Sequence, residues 1–316
     1  MRYSQLATTT FLLVIFSITG QAQTPAAAQK YFQQGVRNLA EGNLDSAFEN
    51  YSRAIEISSR LDNSKSSSST RLIANNLTSP EDAGNITVID PFTAMAYTNR
   101  GIVRCKQHDF DGAIGDFNAA LRISPRLAEA YVGRAVAYRM KGDFDKARAD
   151  VDRALSINGH LAQAYTNRAD LRLEAGDLEG AAEDLDRALK LNPRVGETHN
   201  MVGYLRLTRK EYQKAIESFD EAIRLRPNIA GAYHGRGTAR MALGQFDEAI
   251  ADFNHALELN QQLPNAYMNR GLALLMKYED AKAQADFERC LAINPALKKD
   301  LEDRVGLAKH LRTPKD

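Results

Sequence analysis

Tyr97, Tyr131, Tyr165, His199, Tyr233 and Tyr267 stand 34 residues apart, and Ala113, Ala147, Ala181, Ala215, Ala249 and Ala283 repeat in the same phase. A fixed period of this size means one supersecondary unit used repeatedly, each copy burying its apolar face only against its neighbours. The product is a solenoid. Distant parts of such a chain do not meet to form a cleft, so the period argues against most enzyme folds.

Each block carries two helical patterns. In 128–161, Tyr131, Ala135 and Tyr138 share one face at i, i+4, i+7 spacing. Gly142-Asp143 ends the first helix and starts the second, glycine suiting the left-handed end and aspartate the N-cap. The second helix carries Ala147, Val151, Ala154 and Leu155 and stops at Asn158-Gly159. Other blocks stop at Pro125, Pro193, Pro227 and Pro295, where a fixed φ and a missing N–H forbid continuation. Small residues at Gly101, Ala135, Ala169, Gly203, Gly237 and Gly271 let the paired helices approach, and Phe117, Phe219, Phe253 and Phe287 fill the space between them.

In this order of aromatic, small residue, glycine turn, alanine, aromatic, alanine and proline, the sequence resembles the tetratricopeptide repeat family. Six units match over 94–297, and a seventh over 28–61 through Tyr31, Gly35, Gly42, Ala47, Tyr51 and Ala54. The resemblance implies an all-α, right-handed superhelical solenoid of about seven helix-turn-helix units. Arg104, Arg172, Arg206 and Arg240 depart from the family by replacing a tyrosine, with no partner evident in the sequence. Tyr278 replaces the turn glycine of the last unit, which predicts a distorted turn.

The seventh position of the unit is Arg100, Arg134, Arg168, Arg236 and Arg270 in five copies. Sixteen residues later those copies carry Asp116, Asp150, Asp184, Asp252 and Asp286. The two copies without the arginine also lack the aspartate: Gln34 goes with Asn50, and Val202 with Ser218. Paired change among internal copies indicates contact, so an ion pair joining the two helices of each unit is expected. Neutral replacement of both partners avoids stranding a buried charge. These arginines are structural rather than catalytic.

Three segments fall outside the repeats. Residues 1–22 combine Arg2, the apolar run Phe11-Leu-Leu-Val-Ile-Phe16 and the small residues Gly20-Gln-Ala22, the pattern of a secretory signal. Cleavage after Ala22 and a periplasmic or secreted product are expected. An uncleaved membrane anchor is the second reading, because the apolar run is shorter than the roughly 20 residues of a spanning helix. Residues 62–93, with Lys65-Ser-Ser-Ser-Ser-Thr70, read as a mobile Ser-rich insertion between the first unit and the other six. Residues 298–316 continue an apolar stripe through Leu301, Val305 and Ala308, which predicts a capping helix with a polar outer face.

Lys and Arg number 41 against 40 Asp and Glu, so no global field draws nucleic acid or an anionic membrane. Cys105 and Cys290 lie five units apart and read as independent thiols acting as small apolar residues. The six histidines form no HExxH and no Cys/His cluster of zinc spacing, and His199 reads as a core residue replacing tyrosine. No Gly-rich phosphate loop or Gly-x-Ser-x-Gly elbow is present, so neither cofactor, metal nor catalysis is expected.

The resemblance implies a partner-binding groove lined by the first helix of each unit. Its positions here are Thr98, Ile102 and Cys105, then Val132, Val136 and Arg139, then Thr166, Asn167, Asp170 and Leu173. They continue with Asn200, Tyr204 and Leu207, with His234, Thr238 and Met241, and with Met268, Leu272 and Leu275. This mixed lining suits an amphipathic protein segment. The family's clamp for chaperone carboxylates needs Lys and Asn where this chain has Thr98, Ile102, Val132, Val136, Thr166 and Asp170, so that subtype is disfavoured. The expected function is a non-catalytic protein-interaction adaptor. The alternative is a carrier of a small ligand such as a glycan fragment around Asn167, Asp170, Asn200 and His234.

Overall fold

A computed structural model of the chain describes residues 24–64 and 91–312. The signal-like residues 1–22 and the serine tract at 65–70 lie outside the described residues. Every regular element described is helical. The chain divides into two compact units, one running to Leu171 and the other starting at Arg172.

The first unit contains three antiparallel layers. They are α1 (Ala26–Ala40) with α2 (Leu44–Ser64), α3 (Pro91–Lys106) with α4 (Phe110–Ile123), and α5 (Ala128–Lys141) with α6 (Phe144–Ile157). Helix α7 (Ala162–Glu174) begins in this unit. The second unit contains α8 (Leu178–Leu191), then α9 (Gly196–Thr208) with α10 (Tyr212–Leu225) and α11 (Ala230–Ala242) with α12 (Phe246–Leu259). It closes with α13 (Pro264–Met276) paired to α14 (Asp280–Ile293), a 3-10 turn at Pro295–Leu297 and α15 (Lys298–Arg312). Helices α2 and α3 reach into both edges of the predicted 62–93 insertion, with Pro91 opening α3, a position where proline's missing N–H costs nothing.

The turn inside each layer has one geometry. Gly42, Gly142, Gly176 and Gly244 take φ near +80°, and His108, Lys210 and Tyr278 occupy the same position at φ 60–63°. The Tyr278 turn is therefore not distorted. Glu279 N–H donates to the Leu274 carbonyl at 3.0 Å, as Asp143 N–H does to Tyr138 at 2.9 Å. What differs is the cost of a left-handed conformation in a residue with a Cβ. Asp109 and Asp177 then cap the following helices, each accepting from a backbone N–H at 2.9 Å.

The seventh-position arginines join three helices. Arg134 donates from Nε and Nη2 to the two oxygens of Asp150, both at 2.7 Å, and from Nη1 to Asn118 of the preceding layer at 2.6 Å. Arg270 does the same with Asp286 (2.8 and 2.6 Å) and Asn254 (2.7 Å). Arg236 binds Asp252 at 2.6 Å and reaches Asp220 at 2.5 Å. Arg168 bonds Asp152 at 3.1 Å; it and Asp184 fall in different units. Each of the five guanidiniums also lies 5.3–5.5 Å from the ring of the tyrosine three residues earlier.

The four arginines without an evident partner have one. Arg104, Arg172 and Arg206 each donate to the backbone carbonyl eight residues on, those of Gly112, Gly180 and Lys214, at 2.7–2.9 Å. They also reach the aspartate position: Arg104 meets Asp116 at 3.0 Å, Arg172 meets Asp184 at 2.8 Å and Arg240 meets Asp252 at 2.8 Å. In the layer with Val202, Arg206 uses the Ser218 hydroxyl at 2.8 Å instead.

Layer-to-layer register survives the interruption. Arg100 bonds Asp116 of its own layer at 2.7–2.9 Å and Ser52 at 3.1 Å. Ser52 is 48 residues back where the other ladder contacts span 16. Gln107 bonds Asp45, 62 residues back, at 2.8 Å where Lys141–Asp111 and Arg209–Glu179 span 30. Both excesses equal the length of the 62–93 segment, so the first two layers stack as ordinary neighbours.

Aromatic wedges fill each layer. A methyl group on Gly203 would come within 2.5 Å of the Phe219 ring, and one on Gly235 of the next layer would overlap the same ring from the other side. Only glycine fits both approaches. His199 is half-buried rather than core and meets the Pro193 carbonyl at 2.9 Å, as Tyr131 meets that of Pro125 at 3.3 Å. Helix α15 buries Leu301 and Ala308 against Met268, Leu272 and Leu275. Its far end is held by Arg312, which donates to the Leu275 carbonyl at 2.7 Å and stacks 4.3 Å from the Tyr278 ring. The outer face of α15 is not wholly polar, because Leu307 and Leu311 are exposed.

Candidate functional site: the stripe along the first helices

The fifth, ninth and twelfth positions of each first helix form one stripe, since three- and four-residue steps share a helical face. In the first unit Thr98, Ile102, Cys105, Val132, Val136, Arg139, Thr166 and Asp170 are all buried, and Asn167 is half-exposed. The Thr98 hydroxyl is spent on its own helix, donating to the Ala94 carbonyl at 2.8 Å. Burial pushes the Cys105 thiol up to about 12, so it is an inert apolar filler; both cysteines are free and buried.

Two residues expected to face a partner face each other. Arg139 Nη1 and Asp170 Oδ2 are 3.2 Å apart, with side chains only 4% and 7% exposed. Burial pushes the Asp170 carboxyl up and Arg139 draws it back. The pair is one-off, formed between the twelfth position of one layer and the ninth of the next.

In the second unit Asn200, Tyr204, His234, Met268, Leu272 and Leu275 are buried, while Leu207, Thr238 and Met241 are half-exposed. The Tyr204 hydroxyl donates to the Gly231 carbonyl of the next layer at 2.7 Å, and its ring packs edge-on against Phe219 at 5.2 Å. It is an interlayer strut. Asn269 Nδ2 lies 3.2 Å from both His234 Nε2 and Thr238 Oγ1. That contact makes Nε2 the acceptor and puts the proton of the neutral ring on Nδ1. Burial pushes His234 down to about 4, against a weaker opposing hydrogen bond to the Asn265 backbone. Met268 and Leu272 belong to the core under α15.

Most of the stripe is thus interlayer packing. Its reachable part is Asn167 in the first unit and Leu207, Thr238 and Met241 in the second. Sequence reasoning missed the His234–Asn269 contact, whose only signal is a 35-residue separation, one more than the period. Among the described residues no group of three or more His, Cys, Asp or Glu is placed to hold a metal ion, and no helix is long and apolar enough to cross a membrane.

Tetratricopeptide repeat models match residues 92–158 and 166–228, and a TPR repeat model matches 237–277. Together they span more than half of the chain. Among solved structures, a chain of the APC/C hetero-tetramer Cut9–Hcn1 is 23% identical over 67% of this chain, with a TM-score of 0.62. This chain spans 42% of that one. A tetratricopeptide repeat protein from Parabacteroides merdae is 20% identical over 90% of this chain and all of its own, with a TM-score of 0.56. PilF of Pseudomonas aeruginosa is 20% identical over 64% of this chain and 92% of its own, with a TM-score of 0.54. No curated protein sequence gives a significant match. The resemblance in fold agrees with the repeat models and with the paired helices, and the chain belongs to the tetratricopeptide repeat family.

Proposed function

We propose that this chain is a non-catalytic adaptor that holds a segment of a partner protein along the stripe of its first helices, in the periplasm or outside the cell. Tetratricopeptide scaffolds are generally protein-interaction modules. The observation that carries the reading is the pair Leu207 and Met241, partly exposed apolar side chains on adjacent first helices. Apolar anchors of this kind supply affinity for an amphipathic segment. Export rests on the signal-like residues 1–22. Tethered mature protein should retain a specific envelope or secreted partner, and Leu207→Gln with Met241→Gln should abolish retention while leaving the helical circular dichroism unchanged. Undiminished retention by that variant moves the contact off the stripe.

A second reading, carriage of a small polar ligand, is favoured by Asn200 Oδ1 and Asn269 Oδ1, buried acceptors without a protein donor. Mass spectrometry of the dialysed protein under native conditions tests it: a retained small molecule supports carriage, and a bare chain mass removes it.

A further inference from the structure

The turns between layers share one geometry. Asn158, Asn192, Asn260 and Asn294 each end a second helix with an extended backbone, at φ −140 to −151° and ψ 91–103°. Each side-chain Oδ1 accepts from the backbone N–H two residues on, those of His160, Arg194, Gln262 and Ala296, at 2.9–3.1 Å. The four turns differ in the next residue. Pro193, Gln261 and Pro295 follow three of these asparagines, and Gly159 follows Asn158, the one Asn-Gly step in the chain. Nothing in the fold asks for that glycine. A Cβ on it would come no closer than 3.7 Å, to the Leu155 carbonyl, and its φ lies outside the left-handed region. Pro125, Pro193, Pro227 and Pro295 stand at the same place in other layers.

We propose that Asn158 is a site of spontaneous modification, its side-chain amide converting to an acid through attack by the Gly159 nitrogen. The new bond joins Gly159 N to Asn158 Cγ and closes a succinimide ring. The Cγ–Nδ2 bond breaks, and ammonia leaves with the proton that the Gly159 nitrogen gives up. Water then opens the imide at one of its two carbonyls, leaving aspartate, or isoaspartate with the main chain rerouted through Cγ. All four turns prepare the electrophile alike, since the N–H on Oδ1 sits where charge develops when Cγ is attacked. They differ in the nucleophile. Pro193 and Pro295 have no N–H to lose, and they hold the preceding asparagine extended, with the next nitrogen turned away from Cγ. Gln261 has the N–H, but its side chain opposes the swing of the peptide that brings nitrogen and Cγ together. Gly159 has the N–H and no Cβ, so Asn158 makes that swing most freely. The product carries a negative charge at the C-terminal end of α6, where the helix dipole disfavours it. Isoaspartate also lengthens the main chain just before Leu161, which packs against Ala147, Val151 and Ala154. The turn from α6 to α7 is therefore where the first unit loosens as the change proceeds.

Peptide mapping by mass spectrometry tests this on the purified protein, stored folded in mildly alkaline buffer and sampled over weeks. Residue 158 should change from amide to acid, as aspartate and isoaspartate with release of ammonia, while Asn192, Asn260 and Asn294 keep their amides. Gly159→Pro, the residue that other layers carry, should stop the change without lowering the melting temperature, and Gly159→Gln should slow it. The isoaspartate form should melt below both the fresh chain and Asn158→Asp, which keeps the main-chain length and the acceptor for the His160 N–H. An amide at 158 that survives storage in the folded chain overturns the proposal; reaction of the urea-unfolded chain over the same time would then show that the fold forbids the swing. Equal conversion at the two Asn-Pro steps overturns it too, as does conversion that persists in Gly159→Pro, because either means direct hydrolysis without a ring. An isoaspartate form that melts with the fresh chain overturns the loosening of the α6–α7 turn.

Discussion

The guanidinium of Arg134 holds both carboxylate oxygens of Asp150 at 2.7 Å, joining the two helices of one layer, and its third nitrogen reaches back to the layer before. The hydrogen bonds to Asp150 push the arginine's pKa further up. The same arrangement recurs at Arg100, Arg236 and Arg270, so the period builds a ladder of bidentate pairs along each unit. Arg134→Ala would strand a carboxylate that is 6% exposed and should cost about 2–3 kcal/mol, partial exposure of the pair trimming the penalty of full burial. Arg134→Ala with Asp150→Ser, the change that the layer with Val202 and Ser218 already carries, should recover at least 1 kcal/mol of that, roughly the desolvation cost of an unpaired group. Urea denaturation of the two variants decides it; equal losses would show that the pair contributes no coupling.

Lys210 has φ 60° in a turn where Gly142, Gly176 and Gly244 take φ near +80°, and its side chain is exposed. A Cβ in this conformation costs about 1 kcal/mol. Lys210→Gly should therefore raise stability by roughly 0.5–1 kcal/mol, the added chain entropy of glycine in the unfolded state offsetting part of the relief. Thermal unfolding of the single variant checks it, and a lower melting temperature would mean that the turn carries no strain at Lys210.

The helix pairs were legible because seven copies vote on the same face, and a contact between two positions that change together, Arg134 with Asp150, leaves a trace in one sequence. The backward contact of the same arginine left none. Its acceptors are Ser52, Asn118, Asp152, Asp220 and Asn254, side chains of three types that all accept an N–H, so no single residue type marks the position. The stripe was legible as a face and illegible as a surface. Periodicity places Tyr204 and Asp170 on the first helices, but whether the next layer covers them depends on packing between copies. Single-copy contacts such as Arg139–Asp170 and Tyr204–Gly231 fall outside anything a period can report.

Because Ser52–Arg100 and Asp45–Gln107 reproduce the contacts of uninterrupted layers, the first two layers do not depend on what joins them. Replacing residues 65–90 with a Gly/Ser linker long enough to join Ser64 to Pro91 should leave stability within about 1 kcal/mol, since loop length enters closure entropy only logarithmically. A differential scanning trace with the melting temperature lowered by more than about 4 °C would assign those residues a part in holding the layers.

His234 should make the second unit acid-sensitive. Its ring is 6% exposed and accepts from Asn269, and burial pushes its pKa down from 6.5 to about 4, so the fold disfavours the imidazolium. Between these two values the unfolded chain binds the proton and the folded chain does not, so stability falls as pH falls. The contribution of the neutral ring is complete above pH 6.5, declines below it, and is lost by the time the pH passes the folded value. Relative to His234→Gln, which cannot titrate, the natural protein should lose about 3 kcal/mol between pH 7 and pH 4. Carboxylates titrating over the same range are common to both chains and cancel in the difference. Urea unfolding at pH 7, 5.5 and 4 gives the comparison: a widening gap places the buried imidazole at the weak point, and parallel curves would mean that His234 is protonated as easily in the fold as outside it.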